Sequence, residues 1–273
     1  LEIFLYTKRE SLIAMNNKQT IDFITGWLDN IIEEADCNGF IVGVSGGIDS
    51  ALTSTLAANT GRPVLVLNMP ISQEEGQYNR SNEQIKWLKE KYNNVSSYEI
   101  DLTESFNAFR GAMSVSELTN LAVANSASRL RMMTLYACAN SKNYMVVGTG
   151  NKVEDYGIGF FTKYGDGGVD ISPIADLLKS EVYELASYMG VPNSIQDAIP
   201  TDGLWNDNRS DEDQIGASYD ELEWALEYND RGIEEELTER QQKVLKIYRE
   251  RHYNTKHKLQ MPPVCEIPKN LKG

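Results

Sequence analysis

At 273 residues, with 24% charged side chains and a formal net charge of −14, the chain is long enough to bury a substantial core in one sizeable α/β domain, or in one such domain with an extension. The acidic balance argues against general nucleic-acid binding, which selects basic surfaces, and no apolar run reaches the length of a membrane span. The three cysteines, Cys37, Cys138 and Cys265, are far apart and odd in number. They suggest neither a disulfide framework nor a CxxC metal site, so a reducing, cytoplasmic compartment is expected.

Residues 1 to about 15 have no clear period and lack the parts of a signal peptide. Residues 1–17 are set apart as an N-terminal arm, a cloning remnant or upstream read-through, and 18–273 are read as a single domain. Ile21, Ile24, Leu28, Ile31 and Ala35 recur at helical spacing, which predicts an amphipathic helix over 18–35. Residues 40–44 (FIVGV) are a short apolar run rich in β-branched residues and suit a buried strand. Residues 51–58 are small and apolar and predict a helix that packs closely on a sheet, with Gly61 as its C′ residue. A second buried strand is expected at 64–67, a polar loop at 68–78 and a helix at 79–91. A weaker strand follows at 97–100, then a long helix at 117–140 and a fourth strand at 145–147. Strands alternating with helices imply parallel crossovers, hence a doubly wound parallel sheet with flanking helices. Ligands of such sheets bind beyond the carboxyl ends of the strands. The loops after 44, 67 and 147 should therefore converge.

Between the first strand and its helix stands Ser45-Gly46-Gly47-Ile48-Asp49-Ser50. A Gly-rich turn before a helix offers free N–H groups to an anion. The six residues fit neither GxxxxGK[ST] nor GxGxxG. Hydroxyls at both ends suit a pyrophosphate, and the carboxylate inside would repel it unless a cation intervenes, so Asp49 implies Mg²⁺. Taken as spacing alone, an ordinary tight βα turn with a polar cap stands beside this reading. Residues 146–170 (VVGTGNKVEDYGIGFFTKYGDGGVD) are too long, Gly-rich and charged for a simple connection and are read as functional, with a mobile surface loop as the plain alternative. Charge is also uneven. Residues 202–239 carry a net −12 and are read as a solvated helical surface, whereas 240–273 carry a net +7.

The string SGGIDS after a strand resembles the pyrophosphate loop of the N-type ATP pyrophosphatases, which include NAD, GMP, asparagine and argininosuccinate synthetases. The central GTGNKVE…GFFTKYGDGG narrows this. With the helix segment NSASRLRM at 125–132, PIADLLKSEVYELA, PTDGLW, DEDQIGASYDELE and TKHK at 255–258, it is similar to the ammonia-dependent NAD synthetases over about 18–263. The resemblance implies an adenine-nucleotide α-hydrolase-like fold and a ligase that converts deamido-NAD to NAD, the last step of NAD biosynthesis. It proceeds through an acyl adenylate, with AMP and pyrophosphate as products. It further implies that Ser45, Gly46, Gly47, Ile48, Asp49 and Ser50 hold the pyrophosphate, and that Thr149, Lys179 and Thr201 touch ATP. Asp49 and Glu154 would share Mg²⁺. Arg129, Lys163, Asp170, His257 and Lys258 would hold deamido-NAD. Asp166 would lie near the ammonia site and take its proton, and Asp49, Asp166 and Lys179 would be the catalytic group. His252 is read as structural or exposed.

The family's dinucleotide site lies at a dimer interface, so a homodimer is expected, with the helix at 117–140 as its interface element. The glutamine-dependent relatives need an amidase domain of some hundreds of residues that 273 residues do not accommodate, so free ammonia is the expected donor unless a separate subunit delivers it. The tract 206–212 departs from the family pattern, which leaves contacts in that loop open. Two rival readings remain: an N-type ATP pyrophosphatase acting on another carboxylate or carbonyl, and a non-catalytic nucleotide sensor. Asp49, Glu154, Lys163 and Lys179 together argue against the sensor, since binding alone needs fewer charged groups.

Overall fold

The computed structural model describes residues 15–113, 117–201, 210–232 and 236–272. Most of the N-terminal arm, and the 202–209 part of the loop after Thr201, lie outside the described residues.

A first helix, α1 (Asn17–Glu34), is capped by the Asn16 side chain, which accepts from Gln19 N, and buries Ile21, Ile24, Leu28 and Ile32. Three strand-then-helix steps and a fourth strand follow. They run β1 (Gly39–Gly43), α2 (Ile48–Asn59), β2 (Val64–Asn68), α3 (Glu75–Lys91), β3 (Val95–Glu99), α4 (Thr103–Ala112), α5 (Asn120–Lys142) and β4 (Tyr144–Val146). The sheet order is β3-β2-β1-β4, and all pairs are parallel, with Phe40 opposite Val64 and Ile41 opposite Val146. An isolated bridge from Val147 to Ile171 continues past β4.

Side chains alternate across the two faces of each strand. Phe40, Val42, Val64 and Val66 face a core shared with α1 and α2. Ile41, Leu65, Leu67 and Val146 face a second core shared with α5. The expected doubly wound sheet is therefore present, and β1 and β2 are apolar on both faces because both are covered. The edge strand β3 is largely exposed, which accounts for its weak apolar pattern.

Several bounds differ from the sequence expectation. Helix α3 starts at Glu75, so the polar loop after β2 is shorter than 68–78. Helix α5 runs from Asn120 to Lys142, capped by the Thr119 side chain and ended by Asn143 in the left-handed region. Helix α4 is absent from the sequence reading. Phe106 is its one buried residue, so its apolar period is too sparse to see.

Beyond β4 a π-helical turn (Lys152–Gly157) leads to α6 (Lys179–Met189), α7 (Asn193–Gln196), α8 (Asp211–Ile215), α9 (Tyr219–Arg231) and α10 (Glu239–Leu259). A third core joins Val153, Ile158 and Leu178 to Leu222, Leu226, Val244 and Tyr248. The acidic segment is only partly the solvated surface the sequence suggests. Asp211 and Glu223 are buried. Glu212 accepts from Tyr219 N at 2.8 Å, and Glu221 closes the α9 capping box while pairing with Arg240. Its acids satisfy helix-start N–H groups as much as they face water.

Leu52 on α2 is fully buried between sheet and helices. Leu52→Ala is expected to cost about 2–5 kcal/mol, read as a lower urea midpoint at unchanged slope.

Candidate active site

The β1–α2 turn is built around Gly46, whose φ is +86°. A Cβ there would stand 2.5 Å from the Gln77 carbonyl oxygen. Ser45 N donates to Ser50 Oγ at 3.2 Å, Gly47 N to Ser45 Oγ at 3.3 Å, and Ser50 Oγ to Gly47 O at 3.0 Å. The turn thus holds itself in shape. Gly47 is the N-cap of α2 and supplies no capping side chain, so the first-turn N–H groups of α2 are left for a ligand.

This turn lines a cavity of about 670 Å³, within the usual range for a small-molecule site. Its wall also includes Thr149, Gly150 and Glu154 after β4, Lys179 at the start of α6, and Thr201. In the order β3-β2-β1-β4 the chain reverses direction across the sheet between β1 and β4, and the cavity opens there.

At its floor the Lys179 ammonium lies 2.6 Å from Asp49 Oδ2 and 2.8 Å from Glu154 Oε1. Lys179 is 3% exposed. Burial alone would favour the neutral amine, but the two carboxylates overrule it and hold the ammonium charged far above its ordinary range. Burial raises the Glu154 carboxyl too, yet Lys179, Tyr219 and Asn151 together keep it below its ordinary value. Asp49 ends above its own, because burial and the charge of Glu154 outweigh what Lys179 and Asn151 return.

Asn151 ties the two motifs together. Its Oδ1 accepts from Val153 N at 3.1 Å and Glu154 N at 3.0 Å, capping the π-helical turn, while its Nδ2 donates to Asp49 Oδ1 at 3.0 Å. Tyr219 of α9 lays its ring 4.8 Å from the Lys179 Nζ. Glu223, also on α9, accepts from Ser180 N and Ser180 Oγ, each at 2.8 Å. The residue before Lys179 is Leu178, which has no capping oxygen, so Glu223 serves the start of α6 from another helix.

Asp166 also lines the cavity, accepting from Ser128 Oγ at 2.6 Å and Thr162 N at 3.1 Å. Asp155 stands against Gly150, where any Cβ would meet its carboxylate, and burial with the charges of Asp166, Glu154 and Asp49 holds its carboxyl well above the usual range.

The residues expected to hold the dinucleotide fall into two groups. Lys258 lines the cavity and donates to Gly159 O at 2.8 Å and Phe161 O at 2.7 Å, bracing the central segment against α10. Lys163 makes the reciprocal tie, donating to His257 O at 2.8 Å. Arg129 donates to Lys163 O at 3.2 Å, Asp170 accepts from Tyr136 Oη and Val146 N at 2.8 Å each, and His257 is exposed. None of Arg129, Lys163, Asp170 and His257 lies on the cavity wall. His252 stacks on Tyr248 and contacts Gly157 O at 2.7 Å, a structural role.

Asn151, Asp155, Tyr219, Glu223 and Arg131 had no assigned role in the sequence reading. All five lie inside the quoted motifs. Their partners are far away in the chain, so spacing alone could not single them out.

Asp49 and Glu154 fit a Mg²⁺ ion. They are two hard oxygen donors beside a phosphate-shaped turn, and Mg²⁺ commonly takes one or two carboxylates with the remaining positions left to phosphate and water. Among the described residues no cluster of three or more acidic, His or Cys side chains forms a full cage, which suits an ion shared with a nucleotide rather than held by protein alone.

Gly46→Ala would force a methyl against the Gln77 carbonyl at a left-handed backbone position. Calorimetry is expected to show pyrophosphate binding weakened by more than about tenfold, with a modest fall in unfolding temperature, because the damage is confined to one turn.

Comparison with known proteins bears on this geometry. Residues 20–262 match the family described as NAD synthase. The NH(3)-dependent NAD(+) synthetase of Alkaliphilus oremlandii is 37% identical over 265 residues, covering 93% of this chain and 100% of the relative. That of Mesoplasma florum is 37% identical over 224 residues, covering 80% and 89%. Among solved structures, an NMN synthetase from Francisella tularensis superposes with a TM-score of 0.83 at 33% identity, covering 93% of this chain and 100% of that one. An NH3-dependent NAD synthetase from Campylobacter jejuni gives 0.73 at 25%, covering 92% and 100%. A match that takes in the Ser45–Ser50 turn, the Asp49–Lys179–Glu154 bridge and both segments that wall the cavity leaves one conclusion: the chain belongs to the NAD synthase family.

Proposed function

We propose that the chain amidates deamido-NAD with ammonia and ATP, yielding NAD, AMP and pyrophosphate. The observation that carries this reading is the meeting of the β1–α2 turn with Asp49, Glu154 and Lys179 on one cavity in a member of this family.

A carboxylate has too poor a leaving group for direct amidation. In the first step a nicotinate oxygen attacks the α-phosphorus of ATP, and the bond from that phosphorus to the oxygen bridging to the β-phosphorus breaks. Charge builds on the phosphate oxygens and on the departing pyrophosphate. The first-turn N–H groups of α2 and the serines of the turn would receive the pyrophosphate, and Lys179 would supply a fixed positive charge beside it, a reading supported by the uncapped start of α2 and the position of Lys179 against Asp49. In the second step ammonia attacks the acyl carbon, the bond to the AMP oxygen breaks, and the nitrogen loses a proton. Asp166, held by Ser128 and Thr162, is the proposed acceptor. Mg²⁺ bound by Asp49 and Glu154 would neutralise polyphosphate charge and orient it. Thr149 and Thr201, which line the cavity, would flank the nucleotide. Lys258 would contribute positive charge from the cavity wall, and the contacts of Arg129, Lys163, Asp170 and His257 with deamido-NAD rest on the resemblance alone.

A homodimer is part of the proposal. Leu121 and Met133 of α5 are exposed apolar residues, 60% and 64% accessible, on the helix expected to form the interface. Among the described residues no helix is long and apolar enough to cross a membrane, and a cytoplasmic setting is proposed from the cysteine usage.

A second reading concerns the acceptor. The NMN synthetase structure is matched at 33% identity and over its full length, so the mononucleotide of nicotinate is a rival substrate that carries the same reacting carboxylate.

Turnover should be measured with ATP and Mg²⁺, deamido-NAD or the nicotinate mononucleotide, and ammonium or glutamine. The expected result is NAD from deamido-NAD with ammonium. A mononucleotide strongly preferred over the dinucleotide would move the function to the second reading, and pyrophosphate without either amide would leave only the adenylation half. Asp49→Ala and Glu154→Ala should each lower kcat by at least about 10²-fold, on the scale of losing an aimed electrostatic group.

A further inference from the structure

Arg131, like Arg80 and Arg251, is a cavity arginine that the family resemblance leaves without a role. It lies in the middle of α5 and lines the cavity. Its Nε donates to Met69 O at 3.0 Å. That is its one hydrogen bond with the described residues, and no carboxylate among them forms an ion pair with it. A guanidinium carries five N–H donors, so four are left without an acceptor among the described residues. The residue is partly buried, which works against its charge, and Asp166 is the acid whose field offsets this.

Three arginines do meet carboxylates, and their side chains are more than a third exposed: Arg62 pairs with Asp29 and Glu33, Arg231 with Glu227, and Arg240 with Glu221. The usual preference is the reverse, with exposed arginines free in water and enclosed ones paired. A partly buried guanidinium on a cavity wall, with no carboxylate partner among the described residues, fits a site whose missing acceptor is an oxyanion of the ligand.

Its place narrows which oxyanion. Ser128 lies one turn earlier on the same face of α5 and holds the Asp166 carboxylate at 2.6 Å. Met69, which fixes the guanidinium, follows directly on β2. Arg131 therefore belongs with the Asp166 side of the cavity, where the nitrogen would enter, and the Ser45–Ser50 turn takes the departing pyrophosphate.

We propose that Arg131 binds an oxyanion of the reacting groups, either the α-phosphate of ATP or the nicotinate carboxylate that attacks it. This rests on the proposed amidation.

The test measures equilibrium binding of ATP and of deamido-NAD, each alone, by calorimetry to the wild type, Arg131→Met and Arg131→Lys, together with unfolding temperatures and kcat and KM. Met keeps the apolar stem, and Lys keeps the charge without the planar fork. The expected result is a loss of at least about tenfold in affinity for one ligand in Arg131→Met, a smaller loss in Arg131→Lys, and little change for the other ligand. That is about 1.4 kcal/mol or more at the one contact. The ligand affected tells phosphate from carboxylate. Folded Arg131→Met that binds both ligands and turns over like the wild type would overturn the proposal while leaving the amidation intact. If Arg131→Met does not fold, unchanged affinities and turnover in Arg131→Lys would overturn it equally. A folded wild type that binds neither ligand would instead overturn the proposed amidation, and this inference with it.

Discussion

The site depends on one buried ammonium held between two partly buried carboxylates. Asp49 comes from the first turn of α2, Glu154 from the π-helical turn after β4, and Lys179 from the start of α6. Each charge would be costly in isolation, and removing one member of such a group typically costs about 3–5 kcal/mol because it strands the others. The bridge therefore ties three chain segments to one another, and it does so with a direction. It presents charge to the cavity floor. The two acids respond unequally: burial and the charge of Glu154 leave Asp49 above its ordinary value, whereas Lys179, Tyr219 and Asn151 outweigh burial at Glu154 and hold it below its own.

The sheet makes that meeting possible. β1 has β2 on one side and β4 on the other, so the loops leaving β1 and β4 part to opposite faces and leave a crevice between them. Short strands suffice because the loops, rather than the strands, carry the chemistry. The central segment then folds back and is tied down by Lys258, Lys163 and Asp166 through backbone carbonyls, a hydroxyl and an amide. These residues shape the wall with the same groups that resemblance assigns to substrate and ammonia.

Much of this was legible in the sequence. The apolar runs of β1 and β2 and the small residues of α2 were visible because burial on both sides leaves a continuous signal. The SGGIDS turn was visible because its residue types have few other uses in that order. Helix α4 was not visible, since one buried Phe106 gives no period. Asn151 and Tyr219 were inside recognised motifs, but their importance lies in contacts to Asp49 and Lys179 that span the chain. The acidic segment misled for a related reason. A run of carboxylates has the same composition whether each one faces water or caps a helix, and only the packing of α9 against α6 separates the two cases.

That packing has a consequence for how the surface can vary. Neutralising or recharging the 211–223 stretch would ordinarily be a matter of solubility alone. Here Glu223 holds the two donors of Ser180, the residue next to Lys179. A change that looks cosmetic at one helix is therefore mechanically continuous with the Asp49–Lys179–Glu154 bridge. Drift in this protein is expected to be permissive at Asp220 and restricted at Glu223, so that the tolerance of an acidic residue here is set by which amide it holds rather than by its charge.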